Sequence, residues 1–196
     1  MPYNYNINNF IRVGLSFILT KLFFRDSRLI RFPFDIRNKS NIDLGKGLTT
    51  GVNCRIEAYP LIKSDIVLTF GSNIQINDYV HITAAEKVYI GNNVLMASKI
   101  YISDCSHGSY GGDENDSNPI SIPASRPLFS KPVIIEDNVW LGEFVSVLPG
   151  VRIGKGTIVG ANSVVSKSLP DYVIAVGIPA KPIKKYNFQS LRWEKI

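Results

Sequence analysis

Residues 135–169 read IEDNVWLGEFVSVLPGVRIGKGTIVGANSVVSKSL, and every sixth residue in this segment is aliphatic. The aliphatic positions are Ile135, Leu141, Val147, Ile153, Val159 and Val165. An α-helix repeats its apolar face about every 3.6 residues and a strand every second residue, so neither element alone gives a period of six. The period therefore predicts short strands that wind into a repeating coil.

A second set of positions follows the same period, four residues after each aliphatic residue. Its members are mostly small or β-branched: Val139, Val145, Val151, Thr157, Ser163 and Leu169. We expect them inside the coil, beside the larger aliphatic side chains. Glycine directly follows three of the aliphatic residues, at Gly142, Gly154 and Gly160, where we expect it to give the backbone freedom at a corner. The pattern is typical of a parallel β-helix of hexapeptide repeats.

The pairs Leu141-Gly142, Ile153-Gly154 and Val159-Gly160, with their small partners, resemble the repeats of left-handed β-helix acyltransferases. The resemblance covers about residues 40–185 and implies an all-β fold, a left-handed parallel β-helix. The handedness is implied by the resemblance alone, since crossovers between parallel strands are normally right-handed.

The repeats predict how the coils stack. Residues 88–95 match residues 133–140, forty-five positions later, whereas three hexapeptides make a coil of eighteen residues. Twenty-seven residues therefore leave the coil between them, and the Gly- and Pro-rich segment 108–132 is predicted to be an inserted loop. A slip of two residues at Glu86-Lys87 predicts a bulge at one corner.

The predicted organisation has three parts. Residues 1–40 form an apolar and basic N-terminal segment, residues 41–185 form the β-helix domain, and residues 186–196 form a short tail. Residues 10–24 are apolar, but Arg12 and Lys21 leave an uninterrupted run too short for a hydrocarbon core of about 30 Å. Two interpretations stay open: a helix that caps the open end of the coil or packs on a subunit, or an amphipathic contact of residues 10–31 with an anionic membrane.

The formal net charge is +6, and residues 1–46 hold eight Lys or Arg residues against three acidic residues. The basic character thus belongs to the N-terminal region, which argues against a nucleic-acid surface along the chain. The two cysteines, Cys54 and Cys105, show no CxxC spacing and are predicted to be free thiols. Together with the lack of a clear signal peptide, they favour a cytoplasmic location.

The only two histidines are His81 and His107, which the coil stacking puts on different faces, with His81 over Tyr101. Two histidines so placed do not make a metal site, and this weakens a resemblance to γ-class carbonic anhydrases, which requires three. We therefore expect no metal and a structural or interface role for His81.

His107 follows Asp104 by three residues and opens the predicted loop, a position that suits either a general base or a surface residue at a corner. Asp104-x-x-His107-Gly108 resembles the motif that holds the catalytic histidine of O-acetyltransferases acting on sugars. The resemblance implies that His107 is the base and that Asp104 orients the imidazole or holds the sugar.

Trp140 is predicted to face outward in a column with Leu95 and Ile158, and such an apolar column needs a cover. The resemblance implies a homotrimer with sites in the grooves between subunits, one wall carrying His107 and the other residues 138–142.

The resemblance also implies acetyl-CoA as cosubstrate, with backbone amides of Gly142 and Glu143 at the thioester. Family members often have a small residue in place of Glu143. The remaining implied contacts are Ala161, Ser166 and Lys167 to the pantetheine and phosphates, and Lys184 and Lys185 near the adenosine phosphate.

The sequence is thus identified as similar to acetyl-CoA-dependent O-acetyltransferases that modify a lipopolysaccharide, O-antigen or capsule precursor. Three alternatives differ only in acceptor: a small sugar, serine or an amino sugar. A non-catalytic β-helix scaffold is the alternative of another class. An ice-binding scaffold would need outward ladders of threonine, whereas outward positions here include Trp140, Arg152 and Ile158.

Overall fold

The computed structural model describes residues 7–63 and 65–196. Within these residues lie one α-helix, α1 (Ile7–Phe23), two 3₁₀ turns (Lys39–Asn41 and Pro123–Ser125) and strands β1 to β22, numbered in chain order. All but two of the strands belong to three sheets.

Sheet A contains β1 (Leu29–Ile30), β4 (Thr49–Thr50), β7 (Gln75–Ile76), β10 (Leu95–Met96), β15 (Trp140–Leu141), β18 (Ile158–Val159), β20 (Val173–Gly177), β21 (Ala180–Asn187) and β22 (Arg192–Lys195). Sheet B contains β2 (Phe34–Arg37), β5 (Cys54–Ala58), β8 (His81–Ala84), β11 (Tyr101–Ser103), β16 (Ser146–Val147) and β19 (Val164–Val165). Sheet C contains β3 (Ile42–Asp43), β6 (Leu68–Phe70), β9 (Val88–Ile90), β14 (Val133–Ile135) and β17 (Arg152–Ile153).

The chain visits the sheets in the repeating order A, B, C from β1 to β11, and again from β14 to β19. Strands β1 to β20 pair in parallel within these sheets, and only β21 and β22 are antiparallel. The remaining strands, β12 (Cys105–His107) and β13 (Leu128–Ser130), form an antiparallel pair of their own. The prediction of a mostly β fold with parallel sheets is confirmed.

Both sets of periodic residues point into the core. The six aliphatic residues from Ile135 to Val165 have no exposed area, and the six smaller residues from Val139 to Leu169 are at most 3% exposed. The predicted stacking is also confirmed: Val88 pairs with Val133, and Trp140 pairs with Leu95 on one side and Ile158 on the other. The period of six therefore fixes both the burial and the register of the coils.

The glycines after the aliphatic residues have a different purpose from the predicted one. Gly142 and Gly154 do not adopt positive φ; the left-handed residues come two positions later, at Phe144 (φ 56°) and Gly156 (φ 64°). A Cβ at Gly142 would lie 2.7 Å from the backbone nitrogen of Ala161 in the next coil. Glycine is needed there because the coils approach each other closely, not because the chain turns.

Strand pairing begins before the predicted boundary at residue 41. β1 pairs with β4 from Leu29, and β2 pairs with β5 over four residues from Phe34. These first strands contain no aliphatic-glycine pair, so the period that reveals later coils does not mark them. At the other end, the predicted tail, residues 186–196, contains β22, which pairs with β21, and the Trp193 ring lies 5.3 Å from that of Tyr186.

Helix α1 lies against the first strand of sheet A through its small polar residues. Thr20 Oγ1 accepts a hydrogen bond from Ile30 N–H at 2.8 Å, and Ser16 Oγ accepts one from Phe32 N–H at 3.2 Å. These hydroxyls satisfy backbone donors in and just after β1, which is the edge strand of sheet A among the described residues. None of the helices in the described residues has the length and hydropathy needed to cross a membrane.

Replacing Thr20 by valine keeps the shape of the side chain and removes the acceptor for Ile30 N–H. We expect Thr20→Val to lower the free energy of unfolding by about 1–3 kcal/mol, because a buried donor loses its partner. Urea unfolding followed by circular dichroism measures this, with Thr20→Ser as the matched control that keeps the hydroxyl. Equal stability of the two variants would contradict the role of this hydrogen bond.

Candidate active site

Asp104 is fully buried and holds a corner of the coil. Its Oδ1 accepts a hydrogen bond from Ala85 N–H at 2.8 Å, and its Oδ2 accepts from Glu86 and Lys87 N–H at 2.8 and 2.7 Å. These amides belong to the corner where the sequence slips by two residues. Both carboxylate oxygens are thus bound by backbone amides of this corner. The predicted role of Asp104 toward the imidazole or the sugar stays a prediction.

His107 is exposed at the end of β12, where it pairs with Leu128 of β13. Gly108 N–H donates to Pro127 O at 2.8 Å, and Tyr110 Oη donates to His107 O at 2.6 Å. No side chain among the described residues hydrogen-bonds the His107 imidazole. The ring is therefore held by its backbone and remains open to a substrate.

Arg126 connects separate parts of segment 108–132. Arg126 donates to Tyr110 Oη at 2.7 Å, to Ser121 Oγ at 3.0 Å and to Ser121 O at 2.8 Å. At the end of the segment, Lys131 N–H donates to Asp104 O at 2.8 Å. The chain of contacts from Arg126 through Tyr110 to the His107 carbonyl links the order of this segment to the position of the histidine.

A polar cluster that the sequence analysis missed lies on the outer face of sheet B. The carboxylate of Glu57 lies 2.9 Å from His81 Nε2 and accepts a hydrogen bond from Thr83 Oγ1 at 2.9 Å. Burial alone would raise the pKa of the Glu57 carboxyl, but the hydrogen bonds from His81 and Thr83 and the charge of Arg55 outweigh it and lower that pKa. Glu57 thus stays ionised. We call the partly buried surface formed by Glu57, His81 and Thr83 the Glu57 wall.

This wall adjoins β11, the strand that leads into the His107 segment. As predicted, His81 pairs with Tyr101 of β11, and their ring centroids lie 5.5 Å apart. The polar residues at alternate positions of two stacked strands, Arg55 and Glu57 in β5 opposite His81 and Thr83 in β8, could have revealed the cluster from the sequence.

Cys105 lies beside this wall, but its surroundings disfavour a nucleophile. Burial raises the pKa of the Cys105 thiol above its ordinary value, and its Sγ lies 3.5 Å from Ser103 Oγ. Since the thiolate is the reactive form, a raised pKa makes a covalent acyl intermediate on Cys105 unfavourable.

At four corners of the coil, the residue directly after a glycine donates its backbone N–H to an Asp or Asn side chain of the next coil. The donor and acceptor residues are Val52 and Asp78, Ser72 and Asn92, Asn92 and Asp137, and Lys155 and Asp171. At the corresponding position in the coil next to Glu143 lies Ala161, whose side chain has no oxygen to accept a hydrogen bond. No described residue accepts the Glu143 N–H, whereas Gly142 N–H already donates to Val159 O at 2.8 Å. Of the two predicted amide donors, only that of Glu143 is therefore available.

His107 and Glu143 lie at opposite ends of the strands of sheet B. β12 leaves the coil at the corner that follows sheet B, whereas Glu143 lies at the corner between β15 of sheet A and β16 of sheet B. On sheet A, two residues of the predicted outward column are exposed, Leu95 at 40% and Trp140 at 47%, whereas Ile158 is partly buried. One chain thus carries two separate halves of the predicted site.

The structure separates some of the residues predicted to bind the distal part of a cofactor. Ser166 and Lys167 are exposed directly after β19, as is Ala161 at the corner before it. Lys184 and Lys185 are neighbours on β21, and adjacent residues of a strand face opposite sides. Only one of these two lysines can therefore face a given phosphate.

Comparison with known proteins gives this geometry a context. The family described as "Bacterial transferase hexapeptide (six repeats)" matches residues 132–167. A protein of Escherichia coli (strain K12), provisionally named as the lipopolysaccharide biosynthesis O-acetyl transferase WbbJ, is 46% identical over 191 residues, which cover 97% of this chain and 95% of that one. The chain belongs to the hexapeptide-repeat transferase family.

Two solved structures share the fold of this hexapeptide-repeat transferase. A mutant of AntD, an N-acyltransferase from Bacillus cereus, superposes with a TM-score of 0.69 at 24% identity, covering 88% of this chain and 90% of that one. A galactoside acetyltransferase in complex with coenzyme A superposes with a TM-score of 0.54 at 26% identity, covering 78% of this chain and 70% of that one. The prediction of an acyltransferase built from hexapeptide repeats is confirmed.

A single substitution in the transferase can give the Glu143 N–H an acceptor within the protein, so that it is no longer available to a substrate. In Ala161→Asn, we expect the new amide oxygen to accept Glu143 N–H as Asn92 accepts Ser72 N–H. Loss of one oxyanion donor typically costs about 10²–10³ in rate, so acyl transfer should fall by that factor without loss of stability. Ala161→Leu is the matched control of similar size without an acceptor, and an equal loss in that variant would assign the effect to steric blockage.

The contacts of Tyr110 predict a positioning role for this residue. Tyr110→Phe removes the hydrogen bonds to His107 O and Arg126, so we expect the turnover number to fall about tenfold because the imidazole is less well placed. The Michaelis constant for the acyl donor and the melting temperature should stay unchanged. Tyr89→Phe, which removes a hydroxyl on sheet C, should leave turnover unaffected. Unchanged turnover in Tyr110→Phe would contradict the role.

Proposed function

We propose that this protein transfers an acetyl group from acetyl-CoA to a sugar hydroxyl of a lipopolysaccharide, O-antigen or capsule precursor. The identity with the Escherichia coli protein over nearly the whole chain supports the acceptor class. The fold shared with a galactoside acetyltransferase solved with coenzyme A supports the donor. The observation that carries the chemistry is the exposed His107 imidazole on the β12–β13 pair.

The proposed architecture is a left-handed parallel β-helix in one domain, with residues 108–132 as an insertion beside the site. The cyclic order of three parallel sheets supports the helix, and membership of the family supports its hand. The proposed assembly is a homotrimer in which the apolar face around Trp140 is covered by a neighbouring subunit. A trimer would also bring His107 of one subunit to Glu143 of the next, which a single chain holds apart.

In the proposed reaction, His107 takes the proton from the sugar hydroxyl as its oxygen attacks the thioester carbonyl. Glu143 N–H donates to the carbonyl oxygen as it becomes negative, and such a donor typically contributes about 3–4 kcal/mol. The tetrahedral intermediate then breaks its carbon–sulfur bond. The departing thiolate takes the proton from the imidazolium, so the products are the acetylated sugar and free coenzyme A.

The substrates fit between these groups as follows. The polar wall of Glu57, His81 and Thr83 offers hydrogen bonds to the other hydroxyls of the sugar. Ala161, Ser166 and Lys167 follow the pantetheine arm and phosphates, and either Lys184 or Lys185 supplies a point charge for the adenosine phosphate. A lipid-linked acceptor would bring the protein to the inner face of the cytoplasmic membrane.

Consumption of acetyl-CoA by the wild type and by His107→Ala tests the proposal. The acceptor panel contains small sugars, serine, an amino sugar and the host's undecorated glycan. We expect turnover with a sugar that falls about 10²–10⁴-fold in His107→Ala, the usual contribution of a general base. Cys105→Ala is the matched control and should keep its activity, since the thiol takes no part.

Three results would contradict parts of this proposal. Full turnover in His107→Ala would remove the histidine as base. Loss of turnover in Cys105→Ala, with an acetylated wild-type enzyme, would favour a covalent route. If neither the wild type nor the variants bind coenzyme A, the protein is a scaffold.

A further inference from the structure

Helix α1 exposes its large apolar residues and buries its small polar ones. Ser16 and Thr20 are the buried residues of the helix, at 4% and 0% exposure. Eight large apolar residues are between 51% and 75% exposed: Ile7, Phe10, Ile11, Leu15, Phe17, Ile18, Leu22 and Phe23. This is the reverse of an ordinary surface helix, which turns its apolar stripe to the core.

The hydrogen bonds of α1 to the coil explain this orientation. Because Ser16 and Thr20 accept hydrogen bonds from Phe32 and Ile30 of the coil, and lie four residues apart on one face, the opposite face must point away from the coil. That opposite face carries Ile7, Ile11, Ile18 and Leu22. A continuous apolar surface of this kind marks a contact with a partner or a membrane.

The charges around α1 favour an anionic partner. The helix contains no acidic residue, and from residue 7 to residue 31 five cations stand against Asp26 alone: Arg12, Lys21, Arg25, Arg28 and Arg31. None of these cations forms an ion pair with a residue that the structure describes. An anionic surface would pair with these cations, whereas residues 47–196 of a second copy, with 14 Lys or Arg residues against 13 acidic residues, offer no net negative charge.

A small cavity between α1 and the coil offers a place for one anionic group. It measures about 190 Å³ and is lined by Arg12 and Arg31 beside Ser16. The Nε of Arg31 is buried there and has no hydrogen-bond partner among the described residues. A buried guanidinium donor without a partner favours binding of a phosphate oxygen.

We propose that α1 lies flat in the interface of an anionic phospholipid bilayer. Its face of Ile7, Ile11, Ile18 and Leu22 enters the acyl boundary, while Arg12 and Arg31 bind a lipid phosphate at the cavity between the helix and the coil. This depth of insertion is typical of interfacial helices, whose affinity combines buried apolar area with attraction to anionic lipid. The coil then stands on the membrane with its N-terminal end against the lipid.

Flotation with vesicles tests this docking with the full chain. We expect the wild type to float with vesicles of phosphatidylcholine and phosphatidylglycerol, and far less with phosphatidylcholine alone or at high salt. The triple variant Ile11→Ser, Ile18→Ser, Leu22→Ser should bind at least about tenfold more weakly, since three apolar side chains leave the lipid. Ile120→Ser with Ile122→Ser is the matched control, because these residues are exposed but lie outside α1. The control should float as the wild type does.

The proposal is overturned if the wild type does not float with anionic vesicles, or if the triple variant floats equally well. It is also overturned if the triple substitution lowers the mass of the assembly in light scattering while vesicle binding stays constant, since the face would then be a subunit contact. Acetyl transfer to a soluble acceptor should be the same in the triple variant. The lipid result is thereby independent of the proposed reaction.

Discussion

The coils of this protein stack so closely that at certain positions a side chain on one coil would collide with the backbone of the next. Glycine occupies such positions, as at Gly142 below Ala161 and Gly154 below Asp171. The same closeness lets an Asp or Asn of one coil reach down and bind a corner N–H of the coil beneath. The spacing therefore determines which backbone donors are satisfied within the protein and which stay open.

The proposed chemistry depends on an exception to that arrangement. Ala161 stands where other coils have Asp or Asn, so the N–H of Glu143 is left for a substrate oxygen. At the corner formed by residues 85–87 the backbone donors are satisfied, because the buried carboxylate of Asp104 accepts them. These hydrogen bonds hold rigidly the point from which the His107 segment leaves the coil. A rigid scaffold of this kind supplies preorganised donors without the cost of moving them during the reaction.

The sequence predicted the repetitive part of the fold residue by residue, because a period of six determines burial and register together. It failed where the period is absent: β1 and β2 lack an aliphatic-glycine pair, and the hairpin of β21 and β22 is antiparallel. Contacts between distant residues were also hidden, such as Asp104 with the corner at Glu86. From the sequence the candidate site could be approached through His107, whose role stays a prediction, whereas the Glu57 wall and the open Glu143 amide depend on neighbours that only the stacked coils bring together.

The central claim is that each site joins His107 of one subunit to Glu143 of another. The direct measurement is the activity of mixed assemblies made by co-expressing His107→Ala chains with Ala161→Asn chains, each inactive alone. In a symmetric ring of randomly mixed subunits, about one quarter of the interfaces combine an intact histidine with an open amide, so about one quarter of wild-type activity should return. If both groups served one site within the same chain, no mixture would regain activity, and that result would contradict the account.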